Sequence, residues 1–298
     1  MRPVFFQGGK PILDMRHPCL RFCGGLAAVV MVASATAGEP STPDQVVAEA
    51  GWKYRVVTQN LPGIDNLAMA PDGSLYATQE LSNGAGKVIK LRRGEVTMVA
   101  SGFNRPDGLL LRGKFLFITE EVSEGRVLEF DLASKKQRVL ATLHNPEGID
   151  TLPDGDLVVS EDSINGRLLR VPRDGAKAVE VILGGLNRPE GLVARPDGAV
   201  IFAETATGRV LSFKGGEVNV VVDDLDEPDQ VEIAPDGSLW ITEDTRDGRL
   251  LRLKGDSLET VLSGLRSPQG MAFGSDGSVW LAERGRQRLL VIHGEDSR

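Results

Sequence analysis

Residues 188–213 read RPEGLVARPDGAVIFAETATGRVLSF, and the pattern returns at residues 227–253 as EPDQVEIAPDGSLWITEDTRDGRLLRL. Further copies begin near Pro62, Pro106, Pro146 and Pro268, and from Pro106 onward the steps between these prolines are 40, 43, 39 and 40 residues. Within each step the apolar runs are too short for helices, and Gly, Asp, Asn and Pro separate them. About 40 residues with four strand signals is the period of a β-propeller blade. One blade cannot bury both its faces, so the copies must stack in a ring. The expectation is an all-β, six-bladed β-propeller with four-stranded antiparallel blades.

The copy at 187–225 parses into four strands. Glu190 to Ala194 is the first and innermost. Pro196-Asp197-Gly198 is a tight turn in which Gly supplies positive φ. Ala199 to Ala203, Arg209 to Phe213 and Val218 to Val222 follow, each set off by turn residues. The last copy ends after its third strand, Leu289 to Ile292. Residues 53–60 stand before the first copy as Glu259–Leu265 stands before the last. They are therefore expected to complete blade six and close the ring, removing an open sheet edge. The propeller is assigned to residues 51–298.

The chain is acidic, with 34 Lys and Arg against 42 Asp and Glu. Residues 1–37 carry a net charge of +3, which leaves the rest near −11. No basic patch suits nucleic acid or an anionic membrane. Residues 1–37 read as an export signal, with Met15 as a possible true start. Basic residues open it, Cys23 to Ala33 is a short apolar run, and Ala35-Thr36-Ala37 is a small-x-small cleavage pattern. The run is shorter than the roughly 20 residues that span a bilayer. Both cysteines, Cys19 and Cys23, lie in this segment, so the mature chain is expected to lack disulfides and thiol chemistry. Residues 38–50 read as a polar linker. The expected product is a periplasmic or secreted monomer, free of the membrane after signal cleavage.

In an up-and-down blade, the start of strand one and the end of strand two lie on the same face of the ring. The first position reads Asp65, Asp107, Glu147, Glu190, Asp229 and Gln269 around the six copies, and should rim the central channel. The second reads Gln79, Glu120, Glu161, Glu204, Glu243 and Glu283, further out. Five carboxylates converging on an axis must share protons or hold a cation. An all-oxygen ring suits a hard divalent ion such as Ca²⁺, with Mg²⁺, Mn²⁺ or Zn²⁺ as alternatives. The competing expectation is that these acids bond backbone N–H groups and brace the ring. For the outer set, each Glu precedes an Arg by five or six residues, which suggests cross-hairpin ion pairs with a structural role. Arg105 and Arg188 approach the mouth, where they either hold an anionic substrate group or neutralise the acids. His144 and His293 are the only histidines outside the signal, and no Ser-His-Asp set can be assembled.

The run PEGLVARPDGAVIFAETATGRV resembles the NHL-type propeller repeat. From about residue 52 to residue 293 the chain resembles the senescence-marker-protein/gluconolactonase family, also called regucalcin-like. That resemblance implies a divalent metal on the axis and sugar-lactonase activity. Carried over by blade order, it implies Asp65, Glu147, Glu190 and Asp229 as ligands, with Asp229 as the base that activates water. Asp107, Arg105, Arg188 and Gln269 are then expected to contact substrate. The sequence departs from the family where Glu147 and Glu190 stand for Asn ligands and where Gln230 follows Asp229. It also resembles streptogramin-lyase-like propellers, but lacks the His pairs on which they rely. Two functions stand. One is a metal-dependent hydrolase of a lactone or related ester. The other is a non-enzymatic binding propeller that recognises a sugar, peptide or protein at its mouth.

Overall fold

The computed structural model describes residues 46–174 and 177–294, so the predicted signal and residues 38–45 lie outside the described residues. The expected fold is present: six antiparallel sheets, each beginning on one of the repeat's first strands. These innermost strands are Ile64–Met69, Pro106–Arg112, Pro146–Thr151, Pro189–Ala194, Pro228–Ile233 and Pro268–Phe273. The second strands are Leu75–Gln79, Phe115–Glu120, Leu157–Glu161, Val200–Glu204, Leu239–Glu243 and Val279–Glu283.

The ring closes as the repeat requires. Strand Trp52–Thr58 runs antiparallel to Arg288–Gly294, pairing Tyr54 with Ile292, and supplies the fourth strand of blade six. Its bounds differ from the expected 53–60, because Asn60 turns at φ 62° towards the first blade. The segment read as linker also differs. Val47–Ala48 is a short strand paired with Ser257–Leu265, a fifth strand on blade five, and Val46 is buried behind it. Tyr54 Oη donates to the Val46 carbonyl at 3.2 Å, tying this strand to the closing one.

The core lies between blades. Six apolar clusters each combine residues from two neighbouring sheets. The seam between blades three and four is typical, with Val158 and Leu168 packed on Val200 and Phe202. Fully burying one such side chain contributes about 1.5–3 kcal/mol. The alternating apolar second strands serve two seams at once, one per face. Polar hydroxyls lock the seams near the axis. Thr78 Oγ1 donates to the Asp107 carbonyl at 3.0 Å, Thr119 Oγ1 to Glu147 at 2.6 Å and Thr205 Oγ1 to Pro228 at 2.6 Å.

Candidate functional site

Every innermost strand begins with a bulge. Pro146 faces Glu161 and Ile149 faces Val159, so three steps on one strand match two on the other. The same irregularity follows Ile64, Pro106, Pro189, Pro228 and Pro268. A bulge re-aims side chains, and here it carries the first-ring residue at each blade. Glycine after the acid permits the tight axial packing: a Cβ at Gly148 would lie 2.6 Å from the Glu190 carbonyl oxygen.

All six predicted rim residues are buried: Asp65, Asp107, Glu147, Glu190, Asp229 and Gln269. They do not form one uniform ring. Glu147, Glu190 and Asp229 each bring a carboxylate oxygen within 4.8 Å of the others. Asp65 is not part of this group; it lies with Asp107 and Glu80, again within 4.8 Å. The reason is Arg284, whose guanidinium donates to Asp65 at 3.1 Å and also pairs with Glu80. Among the described residues, these acids do not brace the ring through backbone N–H groups. That work falls to the Thr and Ser hydroxyls.

A second ring, absent from the sequence reading, sits one residue beyond strand two: Glu80, Glu121, Asp162, Thr205, Asp244 and Arg284. Its orientation comes from the turn before each first strand. The residue there adopts positive φ, as at Arg105 (48°), Asn145 (44°), Arg188 (54°), Glu227 (47°) and Ser267 (44°). Its carbonyl accepts the N–H of the second-ring residue, as from Asp162 to Asn145 at 2.9 Å and from Asp244 to Glu227 at 2.9 Å. Strand alternation offered a signal for this ring: if Glu161 points outward, Asp162 points towards the axis.

Arg105 and Arg188 reach the mouth and are paired with acids there. Arg188 grips both oxygens of Asp162 at 2.9 and 3.1 Å and donates to Glu190 at 2.6 Å. Arg105 bonds Glu80 and Glu121. Three guanidiniums thus face nine carboxylates, at Asp65, Glu80, Asp107, Glu121, Glu147, Asp162, Glu190, Asp229 and Asp244. Burial pushes the carboxyls of Asp65, Asp107, Glu147 and Asp229 well above the usual range, and neighbouring acids add to the shift. Burial likewise lifts Glu190 to about 8 and Glu121 to about 7.

Several axial atoms have no hydrogen bond among the described residues. Asp229 Oδ2 and Gln269 Nε2 are buried and without a hydrogen bond, and so are Asp244 Oδ1 and Glu80 Oε2 in the second ring, the last of these in an ion pair with Arg284. Asp229 Oδ1 accepts from Gln230 Nε2 at 3.3 Å. Asp107 accepts from Asn66 Nδ2 at 3.0 Å. His144 is exposed, with Nδ1 3.2 Å from the Ser123 carbonyl, and takes no part in either ring.

The outer glutamates are structural, as their spacing suggested. Glu161 and Arg167 are direct cross-strand partners, 2.6 Å apart at their charged atoms. Outer glutamates also accept a backbone N–H from their own blade's incoming turn, as from His144 to Glu161 at 2.9 Å. On the opposite face, a cavity of about 670 Å³ between blades five and six is lined by Trp52, Trp240, Phe273, Arg252 and Asp236, with none of the axial acids.

No protein-family model and no curated protein matches the sequence. Solved structures do. A gluconolactonase from Xanthomonas campestris aligns with TM-score 0.69 and 14% identity, over 82% of this chain and 90% of that one. A streptogramin B lyase aligns with TM-score 0.61 and 16% identity, over 83% and 100%. A Thermus thermophilus protein described as an oxidoreductase (glucose dehydrogenase) aligns with TM-score 0.62 and 20% identity, over 82% and 100%. Such likenesses show fold, and these three carry different chemistries. The chain therefore has the six-bladed propeller architecture of solved gluconolactonases, built on four-stranded antiparallel blades.

Proposed function

We propose that the protein is a metal-dependent hydrolase acting on a lactone or related ester at the acidic mouth of the ring. The observation that carries this reading is the convergence of Glu147, Glu190 and Asp229, with the Asp229 Oδ2 atom buried and unbonded. The site is all oxygen, which suits a hard divalent cation such as Ca²⁺. When bound, such an ion polarises a carbonyl and lowers the pKa of water.

The chain's own groups supply the rest. Gln230 Nε2 holds one oxygen of Asp229, and the other, buried and without a hydrogen bond, takes a proton from water. Gln269 Nε2, buried and without a partner, donates to an oxygen of the substrate. Arg188 is held by Asp162 and Glu190 and fixes the Glu190 carboxylate beside Asp229. Buried walls limit water at the reacting centre. The gluconolactonase-like fold is consistent with this class of substrate. The signal-like pattern within residues 1–37 supports export to the periplasm or beyond.

The test is metal content together with turnover of simple sugar lactones, before and after chelation. Bound divalent ion and chelator-sensitive hydrolysis are expected. A protein that binds no divalent cation at millimolar concentration would instead favour the binding propeller.

A further inference from the structure

We infer that Arg284 is a built-in cation, filling a second cation-binding position made by Asp65, Glu80 and Asp107 and so confining the divalent ion to the other side of the axis. In the second ring, five blades place an acid or Thr after strand two, and only blade six places an arginine. Of three such three-acid groups, one (Glu121, Glu147 and Asp162) is only partly buried and shares Glu147; the two fully buried groups are otherwise alike. In each, one carboxylate oxygen from every member lies within 4.8 Å of the others, and all members are buried.

Their partners differ. Arg284 donates to Asp65 and forms an ion pair, without a hydrogen bond, with one oxygen of Glu80; Arg105 donates to the other oxygen of Glu80, and Asn66 Nδ2 donates to Asp65 at 3.3 Å and to Asp107 at 3.0 Å. Every member of this group therefore has a donor from the chain. In the other group Arg188 donates to Glu190 at 2.6 Å, but the Glu147 carboxylate has no hydrogen bond among the described residues, and one oxygen of Asp229 is buried and bare. A guanidinium is planar, weakly hydrated and always charged, so it tolerates this site and cannot be titrated out of it. An ion would have to displace a tethered charge to bind there. Without that charge, three buried carboxylates must take up protons or a cation.

This division explains why Asp65 does not join Glu147, Glu190 and Asp229. It rests on the metal reading for the role of the second group, but its test is a difference between two proteins and stands apart from that reading. Calorimetric titration with Ca²⁺ and Mn²⁺ compares the native chain with Arg284→Gln. The variant is expected to bind one more equivalent than the native chain, whatever the native number. No gain overturns the inference. A native chain that binds none beside a variant that binds one supports the inference and removes the metallohydrolase reading. Arg284→Lys keeps the charge and is expected to bind the native number; an extra equivalent there would overturn the idea. Because Arg284→Gln strips a counter-charge from buried acids, its melting temperature is also compared with and without calcium. A larger calcium-dependent rise than in the native chain is expected. An equal rise, or a chain that stays unfolded in millimolar calcium, also overturns the inference.

Discussion

Ser160 Oγ, on the second strand of blade three, donates to the Glu190 carbonyl on the first strand of blade four at 2.6 Å. It also accepts the Gly148 N–H at 2.8 Å, so one hydroxyl fixes two neighbouring axial bulges. Bracing by hydroxyls leaves the carboxylate of Glu147 available for other work. Ser160→Ala leaves a buried N–H and a buried carbonyl short of a partner. We expect a loss of about 1–3 kcal/mol in urea unfolding, together with weaker divalent-cation binding. Unchanged cation affinity would show that the bulges hold their positions without the hydroxyl.

The outer ring tests separately. Glu243 is buried, receives two donors from Arg249 at 2.5 and 2.6 Å, and accepts the Asp226 N–H at 2.9 Å. Arg249 itself is only half-buried, so solvent screens part of the pair. Glu243→Gln is expected to cost about 1–3 kcal/mol, because a charge-assisted acceptor of a buried turn is lost. Its cation stoichiometry should match the native chain, since Glu243 faces away from the axis.

Ring closure separates two contributions. Removing residues 1–50 takes away the Val47–Ala48 strand but leaves Trp52–Thr58 on blade six. That truncation should lower the melting temperature modestly. Removing residues 1–58 opens the edge of Arg288–Gly294 and should cause aggregation or a much larger fall. Light scattering and melting curves distinguish them; equal behaviour would deny the closing strand its role.

At the other end of the channel, burial pushes the Glu232 carboxyl up to about 8, the nearby Asp150 adds to the rise, and Arg112 opposes it. Between the ordinary carboxylate range and pH 8, folded Glu232 keeps a proton that the unfolded chain has released. Stability from this group is therefore present at low pH and lost as pH rises through 8. In chelator, melting temperature should fall from about pH 5 to pH 8, and Glu232→Gln should flatten the decline. A decline of equal slope in the variant would assign it wholly to the axial acids.

The repeat makes the fold and the first ring legible because strand alternation and Pro-Asp-Gly turns are local properties. What lies beyond them depends on contacts across the ring. Arg284 meets Asp65 from 219 residues away, over the seam that closure creates, and no local pattern announces that meeting. Asp162 and Asp244 are within reach of period-two reasoning, but a second strand that ends at Glu161 or Glu243 leaves them in the following turn, where alternation is not counted. Val47–Ala48 is too short to carry a strand signal, and it is held by pairing with Ser257–Leu265.

The axial acids provide the sharpest separation between a metal centre and a structural ring. Burial raises the carboxyl of Glu147, and Glu190 and Asp107 raise it further, so near neutral pH the cation-free protein carries an unfavourable cluster. Glu147→Gln copies the protonated acid and removes one member of the repulsion. In chelator the variant is expected to melt at or above the native temperature. With a divalent ion present the order should invert. At calcium about 100-fold above its dissociation constant the native chain gains about 2.7 kcal/mol, and the variant forfeits most of this because an anionic ligand is gone. Asp229→Asn should behave alike and should also abolish lactone hydrolysis, as Asp229 is the proposed proton acceptor. Asp65→Asn should keep the calcium gain, because Asp65 belongs to the arginine-filled group. A ring of purely structural acids predicts the opposite pattern: no calcium gain in the native chain, and a lower melting temperature for Glu147→Gln in chelator. Paired melting curves of the four proteins, with and without calcium, decide between them.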